Sequence, residues 1–314
     1  MARIEGDGAA RFFGAAVALV FAIQLAGPLA LRAQTGAQDQ TNEIISPQPL
    51  SDLALLLEER YAKPVTFEEP VWAWRGDVVV KGSDENARFA QWLVDRRFEL
   101  PDGLIPGAAT DLNAALLGKI LDAYHSQNAD GTRFKVLESR LGLHIVPAQY
   151  HNASGQLVPV ASLLDVRVTV PYEARMASAH LRALCDAVTA AAGTKMQVSA
   201  PGLDLFFAAN ALVPQKFAAQ LLPEKDRAIY SFVWGAREMS AREALLSLID
   251  SSATTLRWSL LCQPSAQAAN RFCSLNVTPL QVRDTGPDGK PMSRTLTYDR
   301  GVKPAFGPPM AAPE

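Results

Sequence analysis

Apolar residues along this chain recur at helical spacing in some stretches and at alternate positions in others, and the switches between the two mark its elements. Residues 12–31, FFGAAVALVFAIQLAGPLAL, form one apolar run behind Arg11. Beyond it, Leu53, Leu56, Leu57 and Tyr61 make a stripe that predicts a helix, with Ser51 as N-cap and Pro64 as its stop. Val65–Phe67 reads as a short strand. A second helix is predicted over about 111–124, capped by Asp111, with Leu112, Leu116, Ile120 and Leu121 on one face. Strands at Arg133–Leu137 and Leu143–Val146 follow it. LLDVRVTVP (163–171) alternates cleanly, with Val166, Val168 and Val170 on one face, and predicts a strand. A helix from Glu173 to Ala192 then turns Leu181, Leu184, Cys185 and Val188 inward and stops at Gly193. Met196–Val198 is again a short strand, and the less regular 200–228 predicts a short helix around Leu212–Leu222. Ser240 and Glu243 form a capping box for a helix burying Leu245, Leu246, Leu248 and Ile249. Leu256–Leu261 and Phe272–Val277 then read as a long-looped hairpin. GPDGKP (286–291) is a turn, and 301–314 reads as a disordered tail.

The order of elements comes twice: helix, short strand, variable middle, then helix, strand and strand. ILD (120–122) echoes LID (248–250), RFKVL (133–137) echoes RWSLL (257–261), and LHIVP (143–147) echoes LNVTP (275–279), in the same sequence. The expectation is an α+β fold of two related small modules, each with two helices packed on a small mixed β-sheet. The divisions are a signal peptide over 1–33, a flexible leader over 34–48, module 1 over 49–150, a linker over 151–162 and module 2 over 163–283. A hairpin remnant and Pro-rich tail occupy 284–314.

AREALLSLIDSSATTLRWSL (241–260), together with LLDVRVTVP through MQVSA (163–200), resembles the short N-terminal domain shared by secretins and some TonB-dependent receptors. In that family an Ala/Leu-rich helix leads through a polar turn to a Leu-x-aromatic strand, here Leu256-Arg257-Trp258. The resemblance covers 163–283 well and 45–150 weakly. Ala253-Thr254-Thr255 stands where the family usually has a Gly, and the middle segment 200–230 is longer than the family needs. What the resemblance implies is a periplasmic docking module and not a channel.

Charge and leader narrow the setting. The formal net charge of −2 at pH 7 offers no footprint for nucleic acid and no basic patch for an anionic membrane. The run from Phe12 to Ile23 has the length of a signal h-region, Gly27 and Pro28 break it, and cleavage is expected after Ala33. An uncleaved membrane anchor is the alternative, since about twenty apolar residues span a bilayer. The partners implied are envelope proteins in a periplasmic or secreted setting. A membrane enters only if the N-terminal segment stays uncleaved.

Candidate chemistry is sparse, and no cofactor is called for. Cys262 and Cys273 fall opposite each other if the last two strands pair, which predicts a disulfide in an oxidising compartment. Cys185 lies on an apolar helix face and reads as an inert buried thiol. His125, His144, His151 and His180 lack metal-ligand spacing and are expected at the surface or at strand ends. Asn128, Asp130 and Gly131 match part of a calcium loop, but Ser126 and Leu137 occupy ligand positions, so a turn is expected. The pairs Glu58/Glu59 and Glu68/Glu69 point apart within each pair and read as solvated faces. Trp72 and Trp74 alternate in VWAWRGDVVV and are candidate binding anchors, grouped with Phe67 and Trp92 around the first module. Without a nucleophile or phosphate-loop motif, the sequence favours non-catalytic binding or scaffolding in the cell envelope. The alternatives are a secreted hydrolase with a dispersed site and a structural subunit of a secretion complex.

Overall fold

Proline sets where the first helix begins. Pro49, with its φ already helical, starts α1 (Pro49–Tyr61) two residues ahead of the expected cap, and Gln48 takes the N-cap place. The helix buries Leu50, Leu53, Ala54, Leu57 and Glu58, whereas Leu56, expected in the stripe, faces out. The computed structural model describes residues 43–80, 91–101, 111–207, 231–252, 254–264, 271–285 and 289–296. From Asn42 onward the chain forms one compact unit; the other unit, Met1–Thr41, lies outside the described residues, and so does the apolar run with it. Among the described residues no helix is long and apolar enough to cross a membrane.

The fold is α+β. In the first half, β1 (Glu43–Ser46) precedes α1, so the end of the expected leader is a strand, and β2 (Val65–Glu68) follows it. A hairpin of β3 (Val78–Val80) and β4 (Gln91–Leu93) comes next, then β5 (Arg96–Glu99), which pairs antiparallel with β1. Asn113, not Asp111, caps α2 (Ala114–Gln127), its side chain accepting from Leu116 N–H. β6 (Arg133–Ser139) and β7 (Gly142–His151) close the half as a hairpin. The expected linker carries β8 (Leu157–Pro159), which adds to β7.

The second half repeats this order. β9 (Arg167–Met176) runs on to Met176, so α3 (Ala177–Ala192) starts later than its stripe suggested. After it come β10 (Lys195–Ser199) and a short α4 (Leu203–Phe207). The helix predicted at 212–222 lies outside the described residues. β11 (Ser231–Ser240) pairs antiparallel with β9, and the predicted Ser240/Glu243 capping box opens α5 (Ala241–Asp250). β12 (Leu256–Cys262) and β13 (Phe272–Pro279) form the hairpin, and β14 (Gln281–Thr285) with β15 (Pro291–Thr295) forms one more.

One sheet runs through both halves in the order β10-β13-β12-β2-β7-β6. Each half contributes three strands in the same internal order, and β12 meets β2 in parallel through Ser259↔Phe67 and Leu260↔Glu68. The halves therefore do not close separate sheets. Their cores stay distinct. Leu50, Leu57, Phe67, Phe98, Ile120 and Ile145 belong to one cluster; Leu181, Leu184, Leu245, Trp258, Leu260 and Leu275 belong to another. Phe67 pairs with Ile145 and turns to the first cluster, while Leu260 stands beside Glu68 and turns to the second. Because side chains alternate across a strand, the two cores lie on opposite faces of the sheet.

The registers also fix which positions correspond. Ile145 has Phe67 on one side and Val136 on the other, and Leu275 has Val198 and Leu260. Val136 thus matches Leu260, as the RFKVL/RWSLL echo has it, while LHIVP and LNVTP slide by two residues. The buried positions Leu117, Ile120, Leu121 and Tyr124 match Ala241, Ala244, Leu245 and Leu248, which sets ILD and LID one helical turn apart.

Candidate functional site

The polar interior concentrates at the β2–β12 seam, where the ladder itself is short. Three glutamates from the first half reach across it. Glu68 is fully buried and receives Arg242 through Nε at 3.2 Å and Nη2 at 2.5 Å. Ser162 Oγ also donates to Glu68, and Trp258 Nε1 approaches it at 3.4 Å. Arg242 extends its remaining arm to Asp165, and this pairing with two carboxylates outweighs burial and holds the guanidinium's pKa above its ordinary value. Glu69, also fully buried, accepts from Gln48 Nε2 at 2.8 Å and from Cys262 N–H at 2.5 Å. Burial pushes its carboxyl up to about 8, against the pull of those donors. Glu58 accepts Val65 N–H at 3.1 Å and meets Arg257 Nε at 3.1 Å; burial pushes it up to about 8 as well, with Arg257 pulling the other way.

The solvated reading of the two acidic pairs is therefore overturned at Glu58, Glu68 and Glu69; Glu59 alone is exposed. Neighbours still point apart, as expected. The partners decide the outcome: Arg242, Arg257 and the Cys262 amide stand at positions that only the closed sheet brings near.

Behind the seam, His144 stacks on Trp258 with ring centroids 4.7 Å apart. Its Nδ1 lies 2.9 Å from Thr66 Oγ1 and its Nε2 2.7 Å from Ser139 Oγ. Burial, with the nearby Arg242 charge, pushes its pKa down to about 3, so the ring is neutral across the physiological range. His151 pairs with Asp77 at 3.1 Å, and Asp77 accepts from Arg96 at the same distance. His180 is buried against the Phe232 carbonyl, and half-buried His125 accepts Phe134 N–H. Three of the four histidines are thus interior, and each is bound to a structural partner. His151 is at the end of β7, one of the two expected places, whereas His144 within β7 and His180 within α3 depart from the expectation. Among the described residues no group of three or more His, Cys, Asp or Glu side chains gathers for a metal. Asn128–Gly131 is the expected turn, closed by Gly131 N–H to Asn128 O.

One small pocket opens beside Glu69. Its cavity is about 20 Å³, enough for one water, and its walls include Gln48, Glu69, Trp72, Asp77, Arg96 and Thr132. Trp72 Nε1 lies near Glu69 without hydrogen-bond geometry, and Thr132 Oγ1 is likewise buried without a partner. Among the described residues no serine or cysteine lines it.

The predicted anchors divide differently from their sequence pattern. Trp72 is 8% exposed and forms part of the interior, so it offers no surface anchor. Residues 71–74 are not a strand. Trp74 is half-buried, its ring tilted against that of His151 with centroids 4.5 Å apart and roofed by Gly155, where any Cβ would collide with the indole. The exposed tryptophan is Trp92, 53% open, directly opposite exposed Val79 on the β3–β4 hairpin. Alternation alone could not reveal this, because exposure follows from where the hairpin leaves the sheet.

Cys262 and Cys273 form the predicted disulfide at directly opposed positions of β12 and β13. Cys185 is buried, and burial pushes its thiol up to about 12, so it is not a ready nucleophile. Comparison with protein families, with curated proteins and with solved structures gives no match.

Proposed function

We propose that this chain is an exported, non-catalytic binding or scaffolding protein of the bacterial cell envelope. In this reading it is built from two α/β modules of the kind found at the start of secretins and some TonB-dependent receptors. The observation that carries the reading is the repeated strand order of the two halves, merged into a single sheet. The buried ionisable groups support it, because each is engaged by a structural partner: Glu68 by Arg242, Asp77 by Arg96 and His151, and His144 by the hydroxyls of Thr66 and Ser139. The pocket beside Glu69 has, among the described residues, room for about one water. A disulfide suits an oxidising compartment. The contact surface is the β3–β4 hairpin with Trp92, since exposed aromatic residues are common anchors of protein interfaces.

The test is a photo-crosslinking residue at position 92 in living cells, with one at the exposed Asp130 as control. The expected result is an adduct to an envelope protein from position 92 alone, on a mature chain beginning at Gln34. Equal adducts from both positions, or a cytoplasmic chain with its N-terminus intact, would overturn the proposal.

A further inference from the structure

The seam within the chain also describes how a second copy would join. Every half has one outer strand followed by a helix-capped hairpin, and so has two unlike edges. Within the chain, the β12 edge of the second half takes the β2 edge of the first. The two edges left over are β6 and β10, which end the sheet among the described residues. They are the counterparts of the two strands that already pair.

The correspondence extends to detail. The helix before each outer strand ends in a left-handed residue, Ala62 or Gly193, whose N–H returns to Glu58 or Thr189. The side chains of these same two residues accept the N–H of Val65 and of Met196, one from each strand. On the other edge, the Leu260 carbonyl accepts Glu69 N–H across the seam. Its counterpart Val136 therefore turns its main chain outward. Phe134 N–H faces the same way and is taken by His125, which leaves the edge beyond it.

We infer that copies of this chain associate head to tail, β10 of one copy adding in parallel to β6 of the next. The seam sets the register: Ser259↔Phe67 becomes Lys135↔Val198, and Leu260↔Glu68 becomes Val136↔Ser199. In that register the edge lysines Lys135 and Lys195 are not opposed. Strand directions also match, since β10 and β6 point the same way within one chain. The second copy thus keeps the orientation of the first, and the contact is heterologous and open rather than a closed pair. Six strands at about 4.8 Å each give a step of about 29 Å per copy. Glu68 and Glu69 correspond to Ser199 and Ala200, so the contact lacks the buried ion pairs of the seam and is reversible. This rests on strand order alone and holds whether or not the envelope partner exists.

The test uses the intact chain with Lys135→Cys, Val198→Cys and the two together, under mild oxidation. The double variant should give a ladder of dimers, trimers and larger species. An equal mixture of the single variants should stop at dimers, and each single variant alone should stay monomeric. Val136→Pro, which removes an outward N–H and spares the bonds to β7, should abolish concentration-dependent growth in sedimentation while keeping the far-UV spectrum. Dimers from either single variant would mean a symmetric contact and overturn the proposal. So would a monomeric double variant, whether its thiols label freely or are shielded by a segment of the same chain.

Discussion

Removing the Arg242 charge tests the seam most directly. Arg242→Met keeps a long apolar stem and good helix propensity in α5, and deletes the guanidinium. Glu68 would remain fully buried with only Ser162 and Trp258 as donors. Breaking a buried pair from one side leaves an uncompensated charge and costs about 3–5 kcal/mol. Asp165 adds little to this, being 36% exposed on its side chain. Against a total stability of about 5–15 kcal/mol, such a loss is large. Glu68→Gln together with Arg242→Met removes both charges, and should lose less than the two single changes summed, by about 1–3 kcal/mol. Urea unfolding followed by tryptophan fluorescence reads all three variants, with Trp258 reporting from the seam. A loss below about 1 kcal/mol in Arg242→Met, or strict additivity in the double variant, would refute the reasoning.

The buried carboxyls set a pH dependence with a definite sign. Glu58 and Glu69 hold protons to about pH 8 when folded, against an ordinary value of 4.5, so the native state binds more protons between the two. Stability should fall as pH rises through that window, by up to about 1.4 kcal/mol per unit for each group. His144, held near 3 instead of 6.5, acts oppositely and favours the fold as pH rises from 3 to 6.5. Glu69→Gln should flatten the decline between pH 6.5 and 8 in denaturant titrations; an unchanged slope contradicts the assignment. Replacing Cys262 and Cys273 by Ser opens a loop of 11 residues' separation and should cost about 2–3 kcal/mol by thermal or urea unfolding, a smaller loss counting against a constrained unfolded chain. Gly142 sits at φ +150° with Pro64 O only 2.3 Å from where a Cβ would stand. Gly142→Ala should therefore lose more than about 1 kcal/mol, and wild-type stability would show that the β6–β7 turn yields.

Local signals carried much of the fold. The Ser240/Glu243 box and the αL stop at Gly193 each depend on neighbours a few residues away, the RFKVL/RWSLL echo on a five-residue pattern legible in either copy, and each maps onto the expected element. The disulfide was legible for the same reason, as a consequence of hairpin register. β1 leaves no such signal, because EIIS has too few residues to show a period and its partner β5 lies beyond the next helix. The seam is illegible in the sequence for a deeper reason. Glu68 meets Arg242 across 174 residues and Trp258 across 190, and no window along the chain joins such partners. A glutamate that will be fully buried looks the same in sequence as one in water.

That separation bears on how the molecule is made. The first half is synthesised before the second, with Glu58, Glu68 and Glu69 each lacking a partner from the second half and with β2 presenting a naked edge on the side that β12 later takes. Their partners, Arg242, Arg257 and the Cys262 amide, are synthesised only much later. Early folding of the amino-terminal part must therefore wait in a hydrated, unfinished state, during which a foreign strand can occupy the place reserved for β12.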